Sequence, residues 1–155
     1  MEKRYFLKPG YIFFSKEGHI LETVLGSCIS LCLFDPENKM GVMTHYIYAT
    51  YREEDEKGYT GSIALPFALK TMLDNGSKLD KLKAHIVGWG KNPRLTDKVG
   101  KENSGFAIDF INKQKISLLT LDVGQEKSRR VIFNTTTGEL QVKSIDIIRK
   151  WFYDG

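Results

Sequence analysis

Cys28 heads a strongly apolar run, and His45 ends a second one that begins at Met40. A thiol with an ordinary pKa near ~8.5 is mostly protonated at neutral pH. A histidine beside it can take that proton and later hand it to a leaving group. Cys-His pairs perform acyl-transfer chemistry of this kind on several unrelated folds. Between the two runs stands Asp35-Pro36-Glu37-Asn38, which fits a type I turn with Asp first and Pro second. If Asp35 and Asn38 close that turn, the hairpin sets Cys28 directly opposite His45, with Cβ atoms roughly 4.5–5.5 Å apart. Two-residue loops favour the I′ and II′ turns instead, and a longer loop moves the register. A packed pair of core residues is therefore the alternative to a catalytic pair.

Leu25-Gly26-Ser27 precedes the cysteine. Glycine tolerates backbone angles that other residues avoid, so Gly26 permits a sharp bend there. Such a bend presents the thiol at a strand end and aims nearby backbone N–H groups at a substrate oxygen. Cys32 lies deeper in the run and reads as core. The two cysteines are four apart on an extended run, roughly 13 Å by strand rise, which is too far for a disulfide. His19 and His85 have no such neighbour in the sequence and read as structural or surface residues. No spacing of His, Cys, Asp and Glu matches a zinc site, and no glycine-rich loop matches a phosphate cradle.

Strands must position these groups. The candidates are Tyr11–Phe14, His19–Val24, Ser27–Phe34, Met40–Tyr48, Leu82–Val87, Ile116–Val123, Arg129–Asn134 and Glu139–Lys143. A Ser-Lys-Glu-Gly turn separates the first pair, and Thr135-Thr136-Thr137-Gly138 marks a hairpin between the last. Ser62 can cap a helix running to about Asn75, stopped by Gly76. Its apolar face holds Leu65, Ala68, Leu69, Met72 and Leu73, and Pro66 marks its start. Asn103 or Ser104 can cap a second helix to about Lys113. Ile147 to Phe152 reads as a short third helix or an edge strand. Tyr51–Gly58 and Gly90–Gly100 read as exposed loops. The fold class expected is α/β (α+β): a β-sandwich-like arrangement of mixed, mostly antiparallel sheets flanked by two main helices.

The chain has 155 residues, which predicts one domain over 1–155. Its 41% hydrophobic and 27% charged residues are ordinary for a globular protein and exclude a disordered or collagen-like chain. The net charge of +4 comes from interleaved acids and bases, without the clustered basic face of a nucleic-acid binder. No apolar stretch approaches the roughly 18 residues of a membrane span, and the N-terminus shows no signal peptide. Both features, with two unpaired cysteines, point to the cytoplasm.

Thr23-Val24-Leu25-Gly26-Ser27-Cys28-Ile29-Ser30-Leu31-Cys32-Leu33-Phe34-Asp35-Pro36 resembles the signature of the CheD family, the chemoreceptor glutamine deamidases of chemotaxis. Gly41-Val42-Met43-Thr44-His45 resembles the family's second motif. Asp122-Val123-Gly124 and Thr136-Thr137-Gly138-Glu139-Leu140 resemble its late strand and hairpin more loosely. The resemblance implies a Cys-His-Thr site: Cys28 as nucleophile, His45 as base and acid, Thr23 orienting the histidine, and Gly26 and Ser27 shaping the loop around the thiol. It implies neither metal nor organic cofactor. The implied partners are the cytoplasmic helices of methyl-accepting chemoreceptors and a CheC-type phosphatase. The chain departs from the family pattern at Gln125, where relatives usually have a second glycine. It departs also at Ala107-Ile108, aligned with an Arg-Asn pair, and at Gly61, aligned with an acidic residue. Two other functions compete with the enzyme: a regulatory module that docks on the phosphatase or receptor with vestigial catalysis, and an unrelated thiol hydrolase or structural domain.

Overall fold

The structure, a computed structural model, describes residues 3–50, 59–90, 97–125 and 127–145. Among the described residues, nine strands and two α-helices follow one another as β1 (Arg4–Phe6), β2 (Ile12–Ser15), β3 (Ile20–Leu25), β4 (Ile29–Asp35), β5 (Met40–Thr44), α1 (Gly61–Asp74), β6 (Lys83–Gly88), α2 (Asp97–Gln114), β7 (Ser117–Val123), β8 (Ser128–Asn134) and β9 (Leu140–Ile145). One sheet has the order β1-β3-β8-β9 and the other β2-β5-β4-β6-β7. Only β1–β3 and β6–β7 pair in parallel, so the mixed, mostly antiparallel expectation holds among these elements.

Burial explains the layering. Every residue of β4 is buried, as a strand covered on both faces requires. Ile29, Leu31 and Leu33 pack with Leu65, Ala68, Met72 and Ala107 of the helices. Cys28, Cys32 and Phe34 pack with Leu21, Leu25, Val131 and Phe133 of the other sheet. Strand β3 alternates buried and half-buried residues, the mark of a sheet with one face toward solvent. The chain passes from the smaller sheet to the larger one in the bend between Leu25 and Ile29. That bend carries Cys28.

Several boundaries differ from the sequence reading. The turn after β2 is a sheet crossover, because β2 and β3 belong to different sheets. Strand β1 has three exposed residues, which is why no periodicity reveals it. Helix α1 is capped at Thr60, not Ser62, and its Pro66 lies inside the helix. Helix α2 includes Asp97, so Asn103 and Ser104 are interior positions rather than caps. The loop expected over 51–58, most of the one at 90–100, and the element at 147–152 lie outside the described residues. No described helix is long and apolar enough to cross a membrane.

His85 illustrates what burial does to a histidine in this fold. Its Nε2 faces the Gly138 carbonyl at 2.8 Å, which accepts only, so that nitrogen holds the proton; its Nδ1 then accepts from Thr120 Oγ1 at 2.8 Å. The ring stacks on Phe34. Burial holds its pKa below the usual value, with the Gly138 bond opposing. The unfolded chain therefore binds a proton at His85 more readily than the folded one. The contribution to stability is complete above the unfolded value of about 6.5 and is lost as pH falls toward the lower folded value. Thermal melts are expected to fall between pH 7.5 and 5.5, and His85→Gln, which cannot titrate, is expected to make that fall shallower. Equal slopes in the two proteins contradict the assignment.

Candidate active site

The hairpin that carries Cys28 and His45 has a different register from the one its turn suggests. Asp35 pairs with Met40, Cys32 with Met43, and Ile29 with Tyr46. The loop is longer because Lys39 takes a left-handed conformation, φ 54°, and donates its N–H to the Asp35 carbonyl at 2.9 Å. The Asp35 carboxylate fixes the turn by accepting from the N–H groups of Glu37 and Asn38, from Asn38 Nδ2 and from Ser77 Oγ. Burial opposes ionisation of Asp35, but these donors outweigh it and hold its pKa below the ordinary value. The register moves by two residues, so Cys28 and His45 are not directly opposed. An even shift preserves the face: both side chains still belong to the layer between the sheets. Diagonal neighbours in such a ladder stand roughly 7–8 Å apart or less, within reach of an imidazole.

His45 is held on the β2 side and from the opposite sheet. On the β2 side, its N–H donates to the Tyr11 carbonyl at 3.2 Å and its own carbonyl accepts from Gly10 at 2.7 Å. On the β4 side the ladder is interrupted. The Thr44 hydroxyl accepts from the Leu31 N–H and donates to the Leu31 carbonyl, replacing backbone partners. This is why β5 stops at Thr44 rather than running to Tyr48. From the opposite sheet, Thr23 Oγ1 lies 2.7 Å from His45 Nδ1. Thr23 also donates its single hydroxyl proton to the Leu7 carbonyl at 2.8 Å. The threonine oxygen must therefore accept at His45, and the imidazole carries its proton on Nδ1. Its Nε2 is left with a lone pair, the form a general base requires.

Replacing Thr23 with valine removes both bonds at nearly constant volume. Loss of one neutral orienting hydrogen bond, worth about 1–1.5 kcal/mol, translates to about a tenfold drop in turnover. Steady-state kinetics on Thr23→Val and Thr23→Ser are expected to show that drop and its recovery, respectively.

Tyr46 and Asn103 brace the segment after the histidine. Tyr46 donates to the Asn103 carbonyl at 2.5 Å, and Asn103 Nδ2 donates to the Ile47 carbonyl at 2.6 Å. Burial raises the Tyr46 pKa, and a charge on Cys28 adds to the rise. Cys28 itself is fully buried. Its carbonyl accepts from the Trp89 N–H at 2.9 Å, and the Gly26 carbonyl accepts from Gly90 at 2.7 Å. Gly26 is not among the residues with positive φ, so the bend does not use the freedom expected of it; Gly88, across the contact, does, at φ 134°. A Cβ on Gly88 would stand 2.2 Å from the Cys28 carbonyl oxygen. Ser27 is half-buried in the bend.

A second cysteine, histidine and threonine lie close together and make an instructive contrast. Cys32 pairs with His85 across β4 and β6, and Thr120 bonds that histidine. Burial pushes the Cys32 thiol up to about 12, with Ser30 opposing only partly. Both ring nitrogens of His85 are occupied. The pair has a thiol that burial keeps protonated and an imidazole with both nitrogens engaged, in keeping with the core reading of Cys32 and the structural reading of His85. Neither cysteine forms a disulfide.

Sequence reasoning gave Thr44, Tyr46, Asn103 and Arg129 no role at the site. Arg129 carried a readable signal, since strand alternation places it with Val131 and Phe133 on the inward face of β8. It is fully buried, and burial lowers its pKa while Asp122 opposes. The positions that depart from the family pattern fall in different places. Ala107 is core, Gly61 packs on the Tyr46 ring, and Gln125 follows Gly124 in a turn where both have positive φ. Paired glycines suit that turn, because a side chain in the left-handed region costs roughly 1–2 kcal/mol.

The family model for CheD, chemotactic sensory transduction, matches residues 48–144. The "Probable chemoreceptor glutamine deamidase CheD" of Borreliella burgdorferi (strain ZS7) is 37% identical over 128 residues, covering 79% of this chain and 77% of that protein. A protein of the same name from Hydrogenovibrio crunogenus is 27% identical over 148 residues, covering 92% of this chain and 78% of that protein. "Probable chemoreceptor glutamine deamidase CheD 1" of Shewanella oneidensis is 29% identical over 147 residues, covering 90% of this chain and 71% of that protein. With a family model spanning more than half its length and a relative this similar over most of it, the chain belongs to the CheD family.

Proposed function

We propose that this chain is a protein-glutamine deamidase, a hydrolase that converts glutamines of chemoreceptors to glutamate in chemotaxis, with Cys28, His45 and Thr23 as its catalytic group. The observation that carries the reading is the Thr23–His45 bond, which leaves Nε2 as the basic nitrogen in the layer that holds Cys28. The relatives' names supply the substrate class. The partners are the cytoplasmic helices of methyl-accepting chemoreceptors and a CheC-type phosphatase, and the protein acts in the cytoplasm.

The chemistry follows from these groups. Cys28 Sγ bonds to the side-chain carbonyl carbon of the glutamine as its proton passes to His45 Nε2. Backbone N–H groups in the Gly26-Ser27-Cys28 bend receive the oxyanion. The C–N bond breaks as the imidazolium returns the proton to nitrogen, and ammonia leaves. Water then attacks the thioester, giving a proton to His45, and the C–S bond breaks to release glutamate and the thiol. The net change is one water consumed and one ammonia released per glutamine.

The test is a chemoreceptor cytoplasmic fragment from the same organism incubated with the protein and read by mass spectrometry. Conversion of defined glutamines to glutamate, with equimolar ammonia, is expected. A fragment that binds the protein and keeps every glutamine contradicts the enzyme and favours the docking module.

A further inference from the structure

We propose that Arg129 is the positioning residue of Cys28, a guanidinium that fixes the nucleophile's bend across the junction of the two sheets; the claim rests on the deamidase reading above. Arg129 is fully buried at the end of β8, where it pairs with Leu25, the last residue before the bend. Its side chain reaches from the smaller sheet to the larger one. Nη1 donates to the Gly88 carbonyl at 3.1 Å and to the Lys127 carbonyl at 3.5 Å. Nη2 donates to the Gly124 carbonyl at 2.6 Å, and Nε donates to Asp122 Oδ1 at 3.2 Å.

These acceptors surround the one turn that grips the nucleophile. Gly88-Trp89-Gly90 donates to the carbonyls on either side of Ser27: Trp89 to Cys28 and Gly90 to Gly26. Gly124 donates back to Gly88 at 3.2 Å. There is no slack in the packing, since a Cβ on Gly90 would stand 2.0 Å from the Lys127 carbonyl oxygen. Arg129 thus holds Gly88, Gly88-Trp89-Gly90 holds the Cys28 bend, and the bend is where the chain changes sheets.

A planar fork is needed for this work. Lysine carries the same charge but offers a compact ammonium that cannot address three carbonyls and a carboxylate in fixed directions. A charge buried this deeply carries a desolvation penalty that an apolar residue would avoid. Its location at the nucleophile's bend, rather than in the general core, points to function. Misplacement of a reacting group by about 1 Å can cost about 100-fold in rate.

The experiment compares wild type, Arg129→Lys and Asp122→Asn, each verified as folded by circular dichroism. Turnover on the receptor fragment is measured alongside iodoacetamide alkylation of Cys28 and Cys32, quantified by peptide mass spectrometry. Cys32 is an internal control for general loosening, because it lies buried in β4. Arg129→Lys is expected to lower kcat about 100-fold with KM within about twofold, and Asp122→Asn about tenfold. Cys28 alkylation is expected to rise at least about fivefold in both variants while Cys32 does not change. Unchanged kcat in the folded variants, unchanged Cys28 alkylation, or a parallel rise at Cys32 each overturns the proposal. Should Arg129→Lys fail to fold, Asp122→Asn decides it, because Asp122 is partly exposed and its carboxylate is what orients the guanidinium through Nε and Nη2. A wild type that deamidates nothing sinks the deamidase reading instead, and the Cys28 to Cys32 alkylation ratio then decides the positioning claim alone.

Discussion

Cys28→Ala is expected to abolish ammonia release from the receptor fragment, lowering kcat by about 10⁴-fold or more, as loss of a covalent nucleophile does in other hydrolases. The mechanism leaves no substitute for the sulfur. Cys32 lies four residues further on, in β4, but burial pushes its thiol up to about 12, and its histidine neighbour has both nitrogens engaged. Cys28→Ser separates nucleophilicity from packing. A hydroxyl of nearly the same size fills the site, yet it is a far weaker acid than a thiol and forms an ester in place of a thioester, so its turnover is expected near that of the alanine variant. The structural consequence is small by comparison. Removing one buried sulfur costs about 1–2 kcal/mol, which lowers a melting temperature without unfolding the chain. A folded Cys28→Ala protein that still releases ammonia at the wild-type rate rules out the thioester path, and a normal thermal melt alongside absent turnover separates catalysis from packing.

The apolar runs made most of this architecture readable, and the misreadings have local causes. Strand β4 is apolar throughout because helices cover one face and a second sheet covers the other, and its continuous pattern gave its position directly. Alternation did the same for β3 and β8. The hairpin register failed on one residue: Lys39 adopts φ 54°, a conformation that its side chain does not announce, and the loop lengthens. Strand β5 was read too long because nothing in the pattern Met40 to Tyr48 shows that the Thr44 hydroxyl takes over backbone bonds. Asn103 was read as a cap because asparagine is common there; inside α2 it instead serves the Ile47 carbonyl, a long-range contact no local rule contains. Cys28 and His45 were legible as a candidate pair by residue type and by shared face. Thr23 was legible only by resemblance, since its partner histidine comes from the other sheet. Arg129 was obscured by the general expectation that basic residues are solvated, although its place in the alternation of β8 argued otherwise.

His45→Asn tests the other half of the pair. The asparagine amide can donate to Thr23 Oγ1 as Nδ1–H does, so the bridge between the sheets survives and only the group at Nε2 is lost. Turnover is expected to fall about 10²–10⁴-fold, the range for removal of a general acid–base group. The pH profile distinguishes this from a change in packing. In the wild type, His45 must be neutral to take the thiol proton, so activity declines on the acid side as the imidazole protonates. In His45→Asn that limb is expected to disappear. The residual rate is then expected to climb with pH as an unassisted thiol ionises. Alkylation of Cys28 at neutral pH should slow in the same variant, because no neighbour accepts its proton. The two halves of the argument are thereby joined. If His45 merely packs beside Cys28, the asparagine variant keeps the wild-type pH profile and alkylation rate and loses only stability. If His45 draws the proton from Cys28, both observables change together while Thr23 goes on holding the strand in place.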